Sequence, residues 1–344
     1  MYTVGVHFYI TGHTGFKGTW LVALLANKGH KVSGYALNPT PKSIFEIADV
    51  TSMMENDFRG DILDLNYLES TLKKTNPDFV IHLAAQSMVL DSLNQPHATF
   101  LTNVTGTLNV LEVTNKIPSI KSQLIVTTDK VYKNNEKKIA FQETDELSGH
   151  EPYSASKAMA DILTHSWSNY VTKIPTGIAR AGNVIGGGDS ASNRLFPDII
   201  RTLEQNNKLI LRSPHSTRPW QHVLDCLEGY YLATLYLAKT QKNSIWNFGP
   251  NQADVKSVRE VLDIVEKFIG NKIECQEIQN EIYESKYLSL NSDKAQSELN
   301  WQPRLTLEQS IKWTLEWHSS IRNSIKPVDI LRNQIDSFER NEIN

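Results

Sequence analysis

Cysteine is nearly absent: Cys226 and Cys275 are the only two. One pair builds no disulfide framework, and neither cysteine stands in metal-ligand spacing, so no metal is expected and a reducing compartment is. Also missing is any run of about 18 apolar residues, which excludes a membrane-spanning helix. No block of like charge stands out. A net charge of −3, from 35 basic and 38 acidic residues, gives no sign of a nucleic-acid or membrane partner. The opening MYTVGVHFYITG lacks the cationic start and separate apolar stretch of a signal peptide, and reads as a first strand. There is no internal repeat. A cytoplasmic protein is expected, long enough at 344 residues to bury one large or two unequal domains.

What the chain does have is alternation. Val4–Thr11, Lys31–Leu37, Phe58–Ile62, Asp78–Leu83, Leu124–Thr127 and Thr176–Ala181 are short apolar runs. Between them, Gly15–Asn27, Leu65–Lys74, Thr99–Asn115 and Tyr153–Tyr170 show helical spacing. Strands alternating with helices predict βαβ units and an α/β, Rossmann-like, doubly wound parallel sheet. After Asn183 the alternation weakens. The expected division is a dinucleotide-binding domain over 1–183, a smaller interleaved domain over 184–324, and a polar, loosely packed tail over 325–344. Segments near 220–250 are expected to return to the first domain.

The first strand runs into TGHTGFKG, with Gly12, Gly15 and Gly18 at the turn into a helix. Glycine there lets backbone N–H groups approach a diphosphate, and the helix N-terminus adds favourable partial charge. After the second strand stand Ser33 to Asn38, with neither the acid that marks NAD nor the arginine that marks NADP. The lack of a cation favours NAD, and Asn38 is a candidate for a ribose hydroxyl. Asp61 could accept from an adenine amino group or cap the following helix.

PYSASK places Tyr153 and Lys157 one helical turn apart. A lysine ammonium there, with a positive nicotinamide, would lower the phenol's pKa and let it accept a hydroxyl proton. Thr128, at the end of a strand, could hold the same substrate oxygen. Thr128, Tyr153 and Lys157 resemble the active site of the extended short-chain dehydrogenase/reductase superfamily, as do HLAAQ (His82–Gln86) and TNVTGT (Thr102–Thr107).

Oxidation of a hydroxyl does not need the Asp129-Lys130 pair that follows Thr128. An acid and a base beside the hydroxyl suit a dehydration. With TTDKVY, ARAGNVIGGGD (Ala179–Asp189), RPWQHV (Arg218–Val223) and WNFGP (Trp246–Pro250), the chain is similar to the nucleotide-sugar 4,6-dehydratases. Among them it is similar to those acting on CDP-glucose, which share the Asp-Lys pair. The resemblance implies NAD as a cofactor that ends as it began, and deoxysugar synthesis for surface polysaccharide. It implies Thr128, Asp129, Lys130, Tyr153 and Lys157 as catalytic, with Lys130 as a C5 base or a stabiliser of the enolate. It implies Gly12, Thr14, Gly15, Phe16, Lys17, Gly18, Asp61, Ile62, Leu83, Ala84, Ala85 and Asn103 at the cofactor. Gln86, Asn183, Arg194, Leu195, Arg212, Arg218 and Gln221 are implied at the substrate. Where those enzymes usually carry a basic residue and an aromatic after HLAAQ, this chain reads Ser87 to Leu93, with Leu90, Asp91 and Leu93. A homodimer through a four-helix bundle is implied as well, with Leu108, Ile162 and Leu163 as outward apolar positions. The alternatives left by the residues are a 4-epimerase, a dehydratase for another nucleotide sugar, and a dinucleotide-binding regulatory protein.

Overall fold

Seven strands form the central sheet: β1 His7–Thr11, β2 Lys31–Ala36, β3 Asn56–Arg59, β4 Phe79–His82, β5 Ser122–Val126, β6 Thr176–Ala181 and β7 Ser244–Phe248. The structure is a computed structural model and describes residues 5–205, 207–278 and 284–342. All neighbours are parallel, in the order β3-β2-β1-β4-β5-β6-β7. The chain steps outward from β1 to β3, then returns to lay β4 on the other flank of β1. That reversal opens a crevice beyond the C-terminal ends of β1 and β4, where open parallel sheets bind ligands.

Helices cover both faces, which is why the strands are apolar throughout rather than alternating. On β1, Phe8 and Ile10 enter one core with Trp20, Leu24 and Leu227. Tyr9, between them, enters the other with Leu68, Leu72 and Val110. Each such side chain contributes roughly 1.5–3 kcal/mol by leaving water. Helix Val223–Thr240 packs on the first face and leads into β7 at the edge of the sheet.

The remaining strands are short. Val184–Ile185 pairs with Gln221–His222, Thr217–Pro219 with Val255–Ser257, and Leu209–Leu211 with Cys275–Glu277. Around them Phe196, Trp220, Leu262 and Ile311 form a separate core.

Four local features depart from the sequence reading. The first strand begins at His7, and Val4 lies outside the described residues. β3 ends at Arg59, because Asp61 Oδ1 accepts from Leu63 N at 2.9 Å and turns the chain. The helix expected over Thr99–Asn115 starts at Pro96 and contains a wide π-helical turn, Leu101–Thr105. Within it, Asn103 is drawn to the backbone of Gln86, accepting from its N–H at 2.8 Å and donating to its carbonyl at 2.9 Å. Lastly, the tail expected to pack loosely forms helix Pro327–Glu339. Its polar average hides one apolar stripe, and Ile330, Leu331, Ile335 and Phe338 are buried in the large core.

On the helix pair expected to face outward, Ile162 and Met159 are 56% and 47% exposed. Leu108 is half-buried, and Leu163 packs into its own chain's core.

Candidate active site

One cleft of about 910 Å³ runs along the C-terminal ends of the strands. Gly12 begins it. Its φ is +75°, and a side chain there would meet the Ala84 backbone N at 2.7 Å, so only glycine lets β1 and β4 close up at the crevice. A Cβ at Gly18 would fall 2.2 Å from the Gly12 carbonyl oxygen, so that glycine seats helix Phe16–Asn27 on the turn. Gly15 is the helix N-cap and carries no side-chain cap. The first-turn N–H groups are therefore left for a ligand, and a diphosphate fits this cradle.

Thr14, Phe16, Lys17, Asp61, Ile62, Leu83, Ala84 and Ala85 line the same end. Asp61 does not cap helix Leu65–Thr75. Asp64 does, accepting from Tyr67 N at 3.0 Å. Asn38 is outside the lining, while Tyr35, Ala36 and Leu37 are in it. No lining residue from Tyr35 to Leu37 or from Gly60 to Ile62 is cationic, so nothing among them offers a 2′-phosphate a partner.

The middle of the cleft brings Thr128, Asp129, Lys130, Tyr153 and Lys157 together. Helix Pro152–Tyr170 starts with a capping box, Glu151 to Ser154, and so presents Tyr153 in its first turn. The Thr128 hydroxyl acts on the Tyr153 phenol, pulling its pKa down. Lys157 Nζ donates to the Val126 carbonyl at 2.7 Å, which pins it at the end of β5. Burial, then the Lys17 ammonium, lowers Lys157 to about 8. Burial pushes the Tyr153 phenol up to about 12, against the pull of the Thr128 hydroxyl and Arg194.

Asp129 is 2% exposed. Its Oδ1 accepts from the Thr128 hydroxyl at 3.0 Å, and its Oδ2 has no partner among the described residues. Burial raises its pKa, opposed by Lys130, the Thr128 hydroxyl, Arg218 and Lys17. A carboxyl held toward its neutral form can donate a proton.

At the far end Asn183, Arg194, Leu195, Arg212 and Arg218 line the cleft. Arg218 is engaged: it pairs with Glu284 at 2.7 Å and donates to the Thr217 carbonyl at 2.9 Å. Although burial opposes it, Arg218, Ser213 and Lys130 hold the Glu284 carboxyl below its usual value. Glu284 carries no sequence signal, since 66 residues separate it from Arg218. Arg212 bonds Asn193 Oδ1. Arg194 pairs with Asp189 at 3.1 Å and donates to Ser87 Oγ at 3.3 Å. The cation absent from the loop after HLAAQ is thus supplied in space by Arg194. From that loop Ser87, Met88, Val89 and Leu90 reach the cleft, and Asp91 and Leu93 do not.

Three expected site residues lie outside the lining. Asn103 is occupied by Gln86 and by the Ser156 hydroxyl at 2.9 Å. Gln86 folds onto its own turn, its amide bonding the Met88 backbone in both directions. Gln221 is 2% exposed and donates to the Phe248 carbonyl at 2.7 Å. Asn103 and Gln86 thus hold backbone that borders the cleft, and Gln221 fastens the end of β7.

Residues 9–314 match the family described as GDP-mannose 4,6 dehydratase. The chain is 39% identical over 328 residues to CDP-glucose 4,6-dehydratase of Salmonella typhimurium, covering 92% of this chain and 91% of that one. It is 26% identical to dTDP-glucose 4,6-dehydratase of Haemophilus influenzae, covering 91% and 98%. The fold superposes on dTDP-glucose 4,6-dehydratase of Bacillus anthracis in complex with NAD, with a TM-score of 0.80 at 23% identity, over 94% and 99% of the two chains.

Proposed function

We propose, from the premise that the chain belongs to the GDP-mannose 4,6 dehydratase family, that it converts CDP-glucose to CDP-4-keto-6-deoxyglucose with loss of water. The 39% identity to a CDP-glucose 4,6-dehydratase supports the substrate. One observation carries the reaction type: Asp129, a buried carboxyl with one oxygen that has no partner among the described residues, stands beside Thr128 and Tyr153. A 4-epimerase has no use for such an acid.

NAD fits the uncapped helix and glycine cradle, and when bound it accepts the C4 hydride and later returns it to C6. Thr128 and Tyr153 hold the C4 hydroxyl, and Tyr153 takes its proton. Lys157, fixed on the Val126 carbonyl, keeps its charge beside the phenolate formed. The 4-ketone acidifies C5, whose proton passes to water in the cleft and is replaced from water when the hydride returns to C6. Lys130 is half-buried, and its charge already acts on Asp129 and Glu284, so it stabilises the enolate. Asp129 protonates the departing C6 hydroxyl. Arg218 and Arg212 hold the diphosphate, since a guanidinium bonds two oxygens at once.

On this reading residues 1–183, with the stretch near 220–250, hold the dinucleotide, and 184–324 hold the nucleotide end of the sugar. The reaction belongs in the cytoplasm, with its nucleotide-sugar supply. Ile162 and Met159 fit a homodimer in which helices Pro96–Thr114 and Pro152–Tyr170 of two copies make a four-helix bundle. A sedimentation run showing only monomer at micromolar concentration removes that part.

The activity is tested with CDP-, dTDP-, GDP- and UDP-glucose, following the alkali-induced ultraviolet absorbance of the ketosugar. With C4-deuterated CDP-glucose the label is expected at C6, and in heavy water C5 gains deuterium. A product that keeps its C4 label and has none at C5 is an epimerase product and refutes the reading.

A further inference from the structure

Thr127 and Tyr132 bracket the turn that carries Thr128, Asp129 and Lys130, and both are tied to one buried ion pair. Asp161 Oδ2 accepts from the Thr127 hydroxyl at 3.0 Å and from Arg180 Nε at 2.8 Å. Arg180 Nη2 reaches the other Asp161 oxygen at 2.7 Å, making the contact two-pronged. Arg180 Nη1 donates to the Tyr132 hydroxyl at 2.9 Å, and the guanidinium lies 5.0 Å from the centre of the Tyr132 ring. The Tyr132 hydroxyl passes the chain on, donating to Asn247 Oδ1 at 2.6 Å. Asn247 is the cross-strand neighbour of Arg180.

The Arg180 and Asp161 side chains are 2% and 1% exposed, and neither lines the cleft. A buried charge pair adds little net stability over well-packed apolar residues, so stability alone does not account for it. Its placement does. Asp161 stands on helix Pro152–Tyr170, one turn beyond Lys157. The pair therefore joins the helix bearing Tyr153 and Lys157 to the turn bearing Thr128 and Asp129.

We infer that Arg180 and Asp161 are positioning residues that set the separation between the groups oxidising C4 and the acid expelling the C6 hydroxyl. The inference rests on the dehydratase reading of this site. Two chemical steps on one sugar need two sets of groups in a fixed relation, and a shift of about 1 Å costs on the order of a hundredfold in rate.

The test uses the full chain with NAD and CDP-glucose in single turnovers. Borodeuteride quenching traps the 4-ketohexose separately from the 4-keto-6-deoxy product. Thr127→Val combined with Tyr132→Phe cuts both tethers and leaves the ion pair whole, so the fold is retained. Thr128 moves with the turn while Tyr153 and Lys157 stay on their helix, so ketohexose formation is expected to slow up to about tenfold and elimination about tenfold further, and the trapped ketohexose rises relative to product. Thr127→Ser with native Tyr132 keeps both tethers, and its ratio is expected to match the parent's. Arg180→Lys, which keeps the charge but not the fork, is expected to raise the ratio as well. If the parent eliminates water and the double variant leaves the ratio unchanged, or slows both steps equally, the inference is overturned while the dehydratase reading stands. If the parent forms no 6-deoxy product from any hexose nucleotide, the reading falls and takes the inference with it.

Discussion

Asp129 sets Oδ1 3.0 Å from the Thr128 hydroxyl and leaves Oδ2, buried and without a partner among the described residues, beside Gly182. On the proposed reading the two neighbours in sequence divide the work: the hydroxyl holds the C4 oxygen with the Tyr153 phenol, and the free oxygen serves a leaving group. Asp129→Asn keeps shape and cannot supply the proton. Elimination is expected to slow by about 10²- to 10⁴-fold, with C4 oxidation retained. Borodeuteride trapping of the 4-ketohexose reads this directly. If Asp129→Asn instead loses oxidation as completely as Tyr153→Phe, the acid assignment is wrong.

A Cβ on Gly182 would stand 2.8 Å from Asp129 Oδ2 and 2.5 Å from Pro219 Cγ. Both contacts are too short, so the Pro219 ring and the Asp129 carboxyl must both shift. Gly182→Ala is expected to lower the rate of product formation at least about tenfold, with CDP affinity by calorimetry within a factor of about three. It should also cost about 1–3 kcal/mol in denaturant unfolding, as overpacking does. A variant with parental turnover shows that Asp129 has room to spare.

Lys157 has its pKa lowered from 10.5 to about 8, chiefly by burial. A group with a depressed cationic pKa opposes folding while it is charged, that is below pH 8, and this opposition fades as pH rises from 8 toward 10.5. Lys157→Met should therefore abolish turnover yet unfold no more easily than the parent at pH 7, the removed charge offsetting the lost bond to Val126 with up to roughly 3 kcal/mol. The stability of the parent relative to the variant should rise between pH 8 and 10. Denaturant melts across that range measure it, and a fall in the relative stability of the parent contradicts the assignment.

Glu284 neutralises Arg218 at 2.7 Å inside the cleft. An anionic diphosphate competes with that carboxylate for the guanidinium. Glu284→Gln is expected to tighten CDP binding by roughly two- to fivefold, about 0.5–1 kcal/mol, and the gain should shrink with added salt. Weaker binding by calorimetry would mean that Glu284 orients Arg218 for the ligand and does not compete with it.

Much of this molecule is legible without coordinates where the determinants are local. A strand buried on both faces must be apolar, a helix between strands must repeat its apolar face, and the turn into the first helix must have glycine at Gly12 and Gly18. Tyr153 and Lys157 share a helix face by spacing alone, and the parallel pairing of the sheet follows from alternation. The polar tail misleads because its apolar residues align only once it is coiled on helix Phe16–Asn27. The structure alone decided what depends on meetings between distant segments. It turned the amides of Gln86, Asn103 and Gln221 toward backbone, because buried N–H and carbonyl groups need partners more than the cleft needs amides. It brought Glu284 to Arg218 across 66 residues, and the Arg180–Asp161 pair to both ends of the turn that carries Thr128 to Lys130. It also set the sign of the Tyr153 shift, because burial, a property of the whole fold, outweighs the Thr128 hydroxyl and Arg194.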